Sequence, residues 1–446
     1  MRRLYFSLII GVLLSVFPHV VSASPVPRIQ DQSLRPQQLA NLIGNRQLMI
    51  LHREKPIQVN GSTETVRFVT SMTVMDTSVE RVREKALDID SYDQFVPQTE
   101  IAKVVSRDTN NFKAKFHLSL KMPIMNTDLY YTNKYTRQSS GDVTFELVSG
   151  DLSAVYGRYE FIRLNDHQTL VAYTLWTDFR SGFGYFSPAA AMYSAQPDLE
   201  IAVPVSQNAV FMRALRKRVE TVSPEKKSGG ETLASAPNIP TFADRKLPLS
   251  SLRSLYDLGT LLFVHQPQRI RTDGDSLSIQ FVSAMGVADT ALKQSRRLLT
   301  QFENFPRFVE QVSSVESQTT EYGYKAKWHL DIGLSILSAG IDYQLEYRWR
   351  NKDKRTLEYR IQPGGDLDHV YGALEWIPVN PSKTIFFYTV ASQIGENASY
   401  LVKLGNFIPN RQLVVGVSSG ALAVEKQMKW IRELNTGQQA LDSRDG

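Results

Sequence analysis

The sequence contains no cysteine among its 446 residues. Disulfide bonds and thiolate chemistry are therefore excluded, and any metal site would have to consist of histidine and carboxylate side chains. Histidine is scarce as well, with 7 copies, and no HExxH or comparable ligand spacing occurs. The sequence thus predicts neither a metal centre nor a bound cofactor.

Clusters of basic residues are also rare. The net charge of +6 is mild for this length, and no group of lysines and arginines alternates with stacking aromatic residues. These features argue against a nucleic-acid partner. The basic run 213–218 is typical of the solvated end of a helix, where cations complement the helix dipole.

A long apolar run occurs only at the start of the chain. Residues 1–3 are basic at two positions, Leu4 to Val21 are almost wholly apolar, and Ala23 ends a small-residue site. This pattern predicts a cleavable secretory signal over residues 1–23. A retained membrane anchor fits less well because Pro18 and His19 interrupt a run of marginal length. Export without disulfides favours a bacterial periplasm.

Four segments of the first half return in the second half, in the same order and with a shift of about 213 residues. The pairs are Leu48–His52 with Leu261–His265, Phe68–Met72 with Phe281–Met285, Lys113–Leu118 with Lys325–Leu330, and Gly150–Gly157 with Gly365–Gly372. Such a series indicates a tandem duplication.

The repeat predicts two domains, at residues 36–222 and 247–434. The segment between them, 223–246, is polar and interrupted by proline and glycine, which indicates a flexible linker. The stretch Ser24–Gln38 and the tail 435–446 have a similar composition, and we expect them to be loose.

Each copy shows the pattern of an α+β domain. The order is a short helix, a strand, a helical pair, a meander of strands and a final helix, at about residues 197–220 and 409–434. The first helices of the two pairs are predicted to open at Asp76, which is followed by Ser78-Val79-Glu80, and at Asp289. In the strands apolar residues alternate, as at Ala114, Phe116 and Leu118. We expect an antiparallel sheet with one apolar face, covered by the final helix.

Two motifs give this order a family resemblance. The stretch Tyr92–Pro97, with its counterpart Phe305–Val309, and the repeated Gly-Asp-Leu…Val-Tyr-Gly segment resemble the START-like (SRPBCC) superfamily, in its polyketide cyclase and coenzyme Q-binding branch. Copy two departs from the first motif at Phe305 and Glu310. The resemblance implies two helix-grip domains, each a curved antiparallel sheet wrapped around a long C-terminal helix. It also implies an apolar pocket, since members of the superfamily carry lipids, sterols, quinones or aromatic polyketides.

The candidate ligand-binding residues are the aromatic side chains predicted to face that pocket. A packed core is the alternative interpretation of each of them. The last strands are predicted to direct Trp176, and Ala391 in the second copy, to the same side. The candidates are Phe95, Phe116, Tyr131, Tyr135, Phe145, Tyr159, Phe161, Trp176, Phe308, Trp328, Tyr343, Tyr347, Trp349, Tyr359 and Trp376.

No catalytic residue is predicted. Several histidines and acids recur in both copies, yet strand alternation directs them away from the aromatic face, or they lie at strand ends and turns. These residues are His52, His117, His265, His329, Asp151, Asp366, Glu160 and Glu375.

We therefore expect an exported binding or carrier protein for a lipid-like, isoprenoid, quinone or aromatic ligand. Two alternatives stay open: a cyclase or dehydratase acting on a polyketide-like substrate, and a protein-interaction module without a ligand. The apolar stretches Phe179–Ala195 and Asn397–Phe407 are expected to gate the pocket, touch a membrane surface transiently, or pack against the other domain.

Overall fold

The computed structural model describes residues 24–32, 34–122, 125–179, 198–220, 234–242, 249–271, 276–334, 337–394 and 410–442. The predicted signal segment, residues 180–195 of the first apolar stretch and the whole of the second lie outside these ranges.

The helices follow the order expected for two similar copies. The α-helices described are α1 (Pro36–Ile43), α2 (Val79–Ala86) and α3 (Leu199–Glu220) in copy one, and α4 (Leu249–Tyr256), α5 (Leu292–Leu299) and α6 (Arg411–Asp442) in copy two. Short 3-10 helices span Ile29–Asp31, Ile89–Gln94 and Phe302–Arg307. The N-cap of α2 is Ser78, two residues after the predicted Asp76, and its side chain accepts a hydrogen bond from the Arg81 amide. The N-cap of α5 is Ala291 rather than Asp289.

The strands also recur. Copy one contains β1 (Gln47–His52), β2 (Lys55–Val59), β3 (Ser62–Val66), β4 (Val69–Met75), β5 (Thr99–Arg107), β6 (Asn111–Met122), β7 (Met125–Arg137), β8 (Val143–Gly150), β9 (Ala154–Asn165) and β10 (Gln168–Asp178). Copy two contains β11 (Gly259–Val264), β12 (Gln268–Arg271), β13 (Ser276–Ile279), β14 (Val282–Ala288), β15 (Val312–Thr319), β16 (Gly323–Leu334), β17 (Leu337–Trp349), β18 (Thr356–Gln362), β19 (Leu367–Asn380) and β20 (Lys383–Ile394).

Among the described residues, the two copies share one antiparallel sheet of 16 strands, in the order β15-β16-β17-β18-β19-β20-β14-β11-β1-β4-β10-β9-β8-β7-β6-β5. Two small hairpins, β2-β3 and β12-β13, stand apart from it. In each half a meander of strands is followed by a long helix that packs on the sheet. The predicted α+β class and antiparallel meander are confirmed.

The copies join at an approximate twofold axis. Strand β1 pairs antiparallel with β11, and Met49 lies opposite Leu262, its own counterpart in the repeat. The same symmetry relates the long helices, because the hydroxyls of the equivalent Ser206 and Ser418 lie 2.8 Å apart. Helices α3 and α6 pack against each other as well as against the sheet. The two halves therefore form one continuous structure rather than two separate domains joined by a linker.

The centre of the sheet is covered on both faces. Helices α3 and α6 lie on what we call the inner face, and α1 and α4 cover the outer face. Helix α1 begins with Pro36 and ends at Ile43, and its C-cap is Gly44, whose φ of 56° suits glycine. It buries Leu39, Leu42 and Ile43 against the outer face.

Two segments that the sequence marked as loose are packed. Val26 and Ile29 of the first segment are buried, and so are their counterparts Ile239 and Phe242 in the interdomain stretch. The prediction of loose chain is therefore wrong for residues 24–32 and 234–242, since apolar side chains between the prolines anchor them. Helix α6 also continues to Asp442, beyond the predicted end at 434.

Candidate ligand-binding interiors

Seven of the eight candidate aromatic residues of copy one lie between the inner face and α3. In this space, which we call the interior of copy one, they share one cluster with Phe211 of α3 and with Tyr92 and Tyr173. Most are fully buried, whereas Phe95 and Tyr131 are partly exposed at one end of the cluster. The seven are Phe95, Phe116, Tyr131, Tyr135, Phe145, Tyr159 and Phe161.

The rings of copy one contact one another. Phe145 lies 5.2 Å from Tyr135 and 5.6 Å from Tyr159, measured between ring centroids. Phe211 covers the cluster from the helix side, 4.4 Å from Tyr173 and 6.1 Å from Tyr159. These distances are those of packed aromatic pairs.

Tyrosine hydroxyls are held inside this cluster. The Tyr92 hydroxyl donates to the carbonyl of Ala86 at 2.5 Å and lies 3.1 Å from the Tyr159 hydroxyl. Burial raises the pKa of Tyr92, Tyr159 and Tyr173 above the usual value for tyrosine. The groups therefore stay protonated and act as neutral hydrogen-bonding partners.

All seven candidate residues of copy two lie on the inner face as well. Trp328 and Tyr343 stack at 6.3 Å, and Tyr347 lies 5.5 Å from Tyr359. The Tyr359 hydroxyl donates to the carbonyl of Thr389 at 2.8 Å. The seven, which share one cluster or contact it, are Phe308, Trp328, Tyr343, Tyr347, Trp349, Tyr359 and Trp376.

The predicted orientation of Trp176 is wrong. This residue lies on the outer face, where its ring is 6.5 Å from Phe68 and 6.1 Å from Tyr156. Its neighbours Tyr173 and Leu175 belong to the inner cluster, so the assumed alternation of β10 was shifted by one residue. Ala391 lies on the outer face of β20 for the same reason.

That shift concealed functional candidates. Tyr173 and its counterpart Tyr388 face the interiors, and neither was predicted. A signal was present: Tyr173 pairs directly with Tyr159 across β9 and β10, so the two must share a face. Phe211 and Gln427 on the long helices were not predicted either, because the alternation that gives the facing of strand residues does not apply to a helix.

The glycine of the repeated Val-Tyr-Gly segment makes room for a ring. A Cβ atom on Gly157 would lie 2.0 Å from Cζ of Phe145, and one on Gly372 would lie 2.3 Å from Cζ of Tyr359. The glycine therefore lets the ring of the neighbouring strand lie flat on the backbone. The motif is structural, and it positions one aromatic residue in each interior.

The Gly-Asp pair of the other motif joins strands. In copy one, Asp151 accepts a hydrogen bond from the Tyr130 amide at 2.7 Å. In copy two, Asp366 accepts one from the Asp342 amide at 2.8 Å. A Cβ on Gly150 would lie 2.3 Å from the Tyr130 carbonyl oxygen, so only glycine permits this approach. Both aspartates complete the sheet rather than a reactive site.

The repeated histidines of β6 and β16 point outward, as predicted. His117 lies 2.9 Å from Asp128 and stacks on Tyr130. His329 lies 2.9 Å from Asp342, and this hydrogen bond raises its pKa. Neither imidazole reaches the aromatic interiors.

The repeated glutamates hold the N-terminal segments on the outer face. Glu160 accepts hydrogen bonds from the amides of Ile29 at 2.8 Å and Gln30 at 3.1 Å. Glu375 accepts one from the Phe242 amide at 2.8 Å. Burial, which outweighs the effect of these amide donors, raises the pKa of Glu160 to about 7. The glutamates face outward as predicted, but they are buried rather than solvated.

The other repeated histidines begin chains of buried side chains. His52 lies 2.7 Å from the Thr70 hydroxyl, which lies 2.8 Å from Thr174. Burial and the charge of Lys55 lower the pKa of His52 to about 4. In copy two the chain is His265, Ser283 and Thr389, with distances of 2.9 and 2.7 Å. Both chains lie on the outer face, away from the rings.

A polar cavity of about 300 Å³ lies beside the junction of the copies. Polar groups that line the cavity form hydrogen bonds with one another. Gln268 accepts from the amide of Asn238 and donates to its carbonyl, and Gln266 donates to the carbonyl of Asn45. Its walls consist of Asn45, Arg46, Asn238, Pro240, His265, Gln266, Pro267 and Gln268. This composition does not suit an apolar ligand.

Two kinds of feature are absent from the described residues. No group of three or more histidine and acidic side chains there is placed to hold a metal ion. No helix in the same ranges is long and apolar enough to cross a membrane.

Each copy has the order of elements that the START-like resemblance implies: a helical pair, an antiparallel meander and a long C-terminal helix on its inner face. No protein-family model matches the chain, and no curated protein matches it significantly. Solved structures do match the chain.

Three of these structures illustrate the range. The di-domain ARO/CYC StfQ from the steffimycin biosynthetic pathway is 12% identical, covers 82% of this chain with 99% of its own length, and has a TM-score of 0.25. TTHA0849 from Thermus thermophilus is 16% identical over 35% of this chain and 98% of its own, at 0.28. A STAR-related lipid transfer protein from Xanthomonas axonopodis is 12% identical over 37% and 98%, at 0.27.

Proposed function

We propose that the protein binds an apolar small molecule with a polar group, lipid-like, isoprenoid or aromatic, between the sheet and a long helix. The observation that carries the proposal is the composition of the two interiors. Aromatic rings form their walls, and neutral tyrosine hydroxyls are buried among them. Such a surface buries an apolar ligand and orients its polar end.

The open ends of the interiors support the same proposal. In copy one, Phe95 and Tyr131 keep accessible surface, and in copy two Phe308 and Tyr343 do. Burial nevertheless raises the pKa of the Tyr131 and Tyr343 hydroxyls. A side chain that is surrounded by protein and still accessible lines a concave surface.

A binding protein fits this composition better than an enzyme. The polar groups that the described strands direct into the clusters are phenol, amide and indole groups, rather than carboxylates or imidazoles. General acid–base catalysis by a cyclase or dehydratase would need a group that exchanges protons near neutral pH. We also propose that the protein is exported, on the pattern of residues 1–23.

Native mass spectrometry of the protein purified gently from its own host tests the proposal. We expect a mass above that of the chain, which a denaturing solvent removes and which extraction yields as an apolar molecule. A chain of bare mass, from cells grown under several conditions, would refute ligand carriage.

A further inference from the structure

The two interiors have diverged at one place on the long helices. The contact between Ser206 and Ser418 sets the alignment of α3 with α6, so Phe211 corresponds to Ala423 and Leu215 to Gln427. The buried pair Val219 and Ile431 keeps the same offset.

Phe211 fills the centre of copy one. Its ring lies within 6.1 Å of those of Tyr92, Tyr159 and Tyr173. Tyr173 is consequently only 7% exposed. In copy one, helix and sheet therefore close on each other through aromatic packing.

The same place in copy two lacks this filling. Ala423 replaces the Phe211 ring and is half-buried, and Leu374 replaces Tyr159. Tyr388, the counterpart of Tyr173 and the strand partner of Leu374, becomes partly exposed. Replacing an aromatic ring by alanine beneath a packed sheet can leave apolar space, and such space can bind an aromatic molecule.

A buried polar group lies next to this place on α6. Gln427 lies one helical turn from Ala423, is 1% exposed, and its Oε1 atom has no hydrogen-bond partner in the part of the chain that the structure describes. A buried amide oxygen without a donor costs about 1–3 kcal/mol, which a hydrogen bond from a ligand would offset. The corresponding residue in copy one is the apolar Leu215, which packs in the cluster. The Asn133 Oδ1 atom of copy one also lacks a partner among the described residues, so the choice of copy two rests on the Phe211-to-Ala423 difference rather than on the amide.

The exposed end of the interior, where Phe95 and Phe308 lie, also differs between the copies. In copy two, Trp430 of α6 stacks on Phe308 at 4.6 Å. At the equivalent place in copy one, the Arg218 guanidinium lies over Phe95 at 5.7 Å. An aromatic pair gives copy two the more apolar entrance.

We propose that copy two is the copy that holds the ligand, in the space left by the Phe211-to-Ala423 difference, with the Gln427 amide accepting a hydrogen bond from a ligand hydroxyl. The proposal rests on the function proposed above. It names the ligand class as a molecule with an aromatic or similarly flat ring and a hydrogen-bond donor. Copy one then serves as the structural partner.

Exchanging residues between the copies tests the location. Ala423→Phe installs the copy-one ring in copy two, and Phe211→Ala removes it from copy one. We expect the co-purified ligand to disappear from Ala423→Phe, and from the smaller Ala423→Leu in part, but to persist in Phe211→Ala. Circular dichroism and a cooperative thermal transition check that each variant is folded.

Gln427→Leu, which installs the copy-one residue, tests the polar contact. The probes are 2-naphthol, which has a hydroxyl donor, and 2-methoxynaphthalene, which lacks one, both measured by calorimetric titration. We expect Gln427→Leu to weaken 2-naphthol binding roughly 2- to 12-fold, because one neutral hydrogen bond is lost. Binding of 2-methoxynaphthalene is expected to stay within twofold of the wild type. Asn133→Leu is the matched control, because it replaces a buried amide of copy one by leucine, the residue found at the corresponding position 345 of copy two. We expect it to leave the affinities for 2-naphthol and 2-methoxynaphthalene unchanged.

The outcomes separate the two proposals. A wild-type chain without any ligand refutes ligand carriage itself. Ligand that is lost from Phe211→Ala and retained by a folded Ala423→Phe refutes only the assignment to copy two. Equal losses of both naphthalenes in Gln427→Leu refute the hydrogen bond.

Discussion

The contact between Gly157 and the ring of Phe145 makes the sharpest prediction about stability. A Cβ at residue 157 would lie 2.0 Å from Cζ of Phe145 and 2.5 Å from each adjacent ring carbon, far inside van der Waals contact. The φ angle of Gly157 is not in the left-handed region. Alanine therefore meets a steric obstacle but no backbone strain.

The ring of Phe145 has little freedom to move away. It is 5% exposed, and the rings of Tyr135, Tyr159 and Tyr173 lie 5.2 to 6.0 Å from it. Overpacking of this kind costs about 1–3 kcal/mol, and outright loss of the phenyl contacts costs about 3–5 kcal/mol. We expect Gly157→Ala to lower the free energy of unfolding by about 3 kcal/mol.

A double-mutant cycle in urea separates this clash from a backbone effect. In a Phe145→Ala background the obstacle is gone, so Gly157→Ala should cost nothing or stabilise by about 0.5–1 kcal/mol, as alanine usually does relative to glycine in a strand. Copy two supplies the contrast. A Cβ on Gly372 would also lie 2.1 Å from the Thr389 carbonyl oxygen, so Tyr359→Ala should not rescue Gly372→Ala. Additive effects of Gly157→Ala and Phe145→Ala would refute this account of the motif.

Two further predictions concern the outer face. The pKa of Glu160 is about 7 in the folded chain, against an ordinary value of 4.5. The folded state therefore binds more protons between these two pH values, and its stability falls by up to about 3 kcal/mol as pH rises from 4.5 to 7. The urea midpoints at pH 5 and pH 8 should differ less in Glu160→Gln than in the wild type, and an unchanged difference would contradict the assignment. Thr70→Val breaks the contacts to His52 and Thr174 at 2.7 and 2.8 Å and should cost about 2–3 kcal/mol by urea denaturation. Ser283→Ala makes the matching change in copy two, and a cost near zero in both would show that the chains are not stabilising.

The duplication made most of the fold predictable. A pattern that recurs in both copies about 213 residues apart predicts the same element twice, so each copy supported the order of helices and strands predicted for the other. The inward facing of the rings on β6 to β9 followed from alternation, because polar residues separate the aromatic ones on those strands, as Glu160 separates Tyr159 from Phe161. On β10 both faces are buried, and the neighbouring Leu170 and Val171 are both fully buried. Alternation of apolar and polar residues therefore could not indicate which side chains of this strand face inward. The misassignment of Trp176 has this cause.

Long-range packing set the remaining limits. Nothing local marks residues 234–242 as ordered, because Ile239 and Phe242 gain their burial from a sheet formed by residues far away in sequence. The 16-stranded sheet was equally hidden: the pairing of β1 with β11 joins two halves, and no pattern within either half requires it. The difference between Phe211 and Ala423 was visible in the sequence, but only the helix contact supplied the alignment that gave it meaning.

The junction of β1 with β11 has a consequence for association. A single copy would present the apolar edge strand Gln47–His52 to solvent, and the twofold arrangement at Met49 shows that this edge is complementary to its own duplicate. One copy alone would therefore pair with another in a manner that depends on concentration. Covalent fusion replaces that dependence with an effective local concentration in the millimolar range. It also fixes one of each half per assembly, so that the halves are free to specialise.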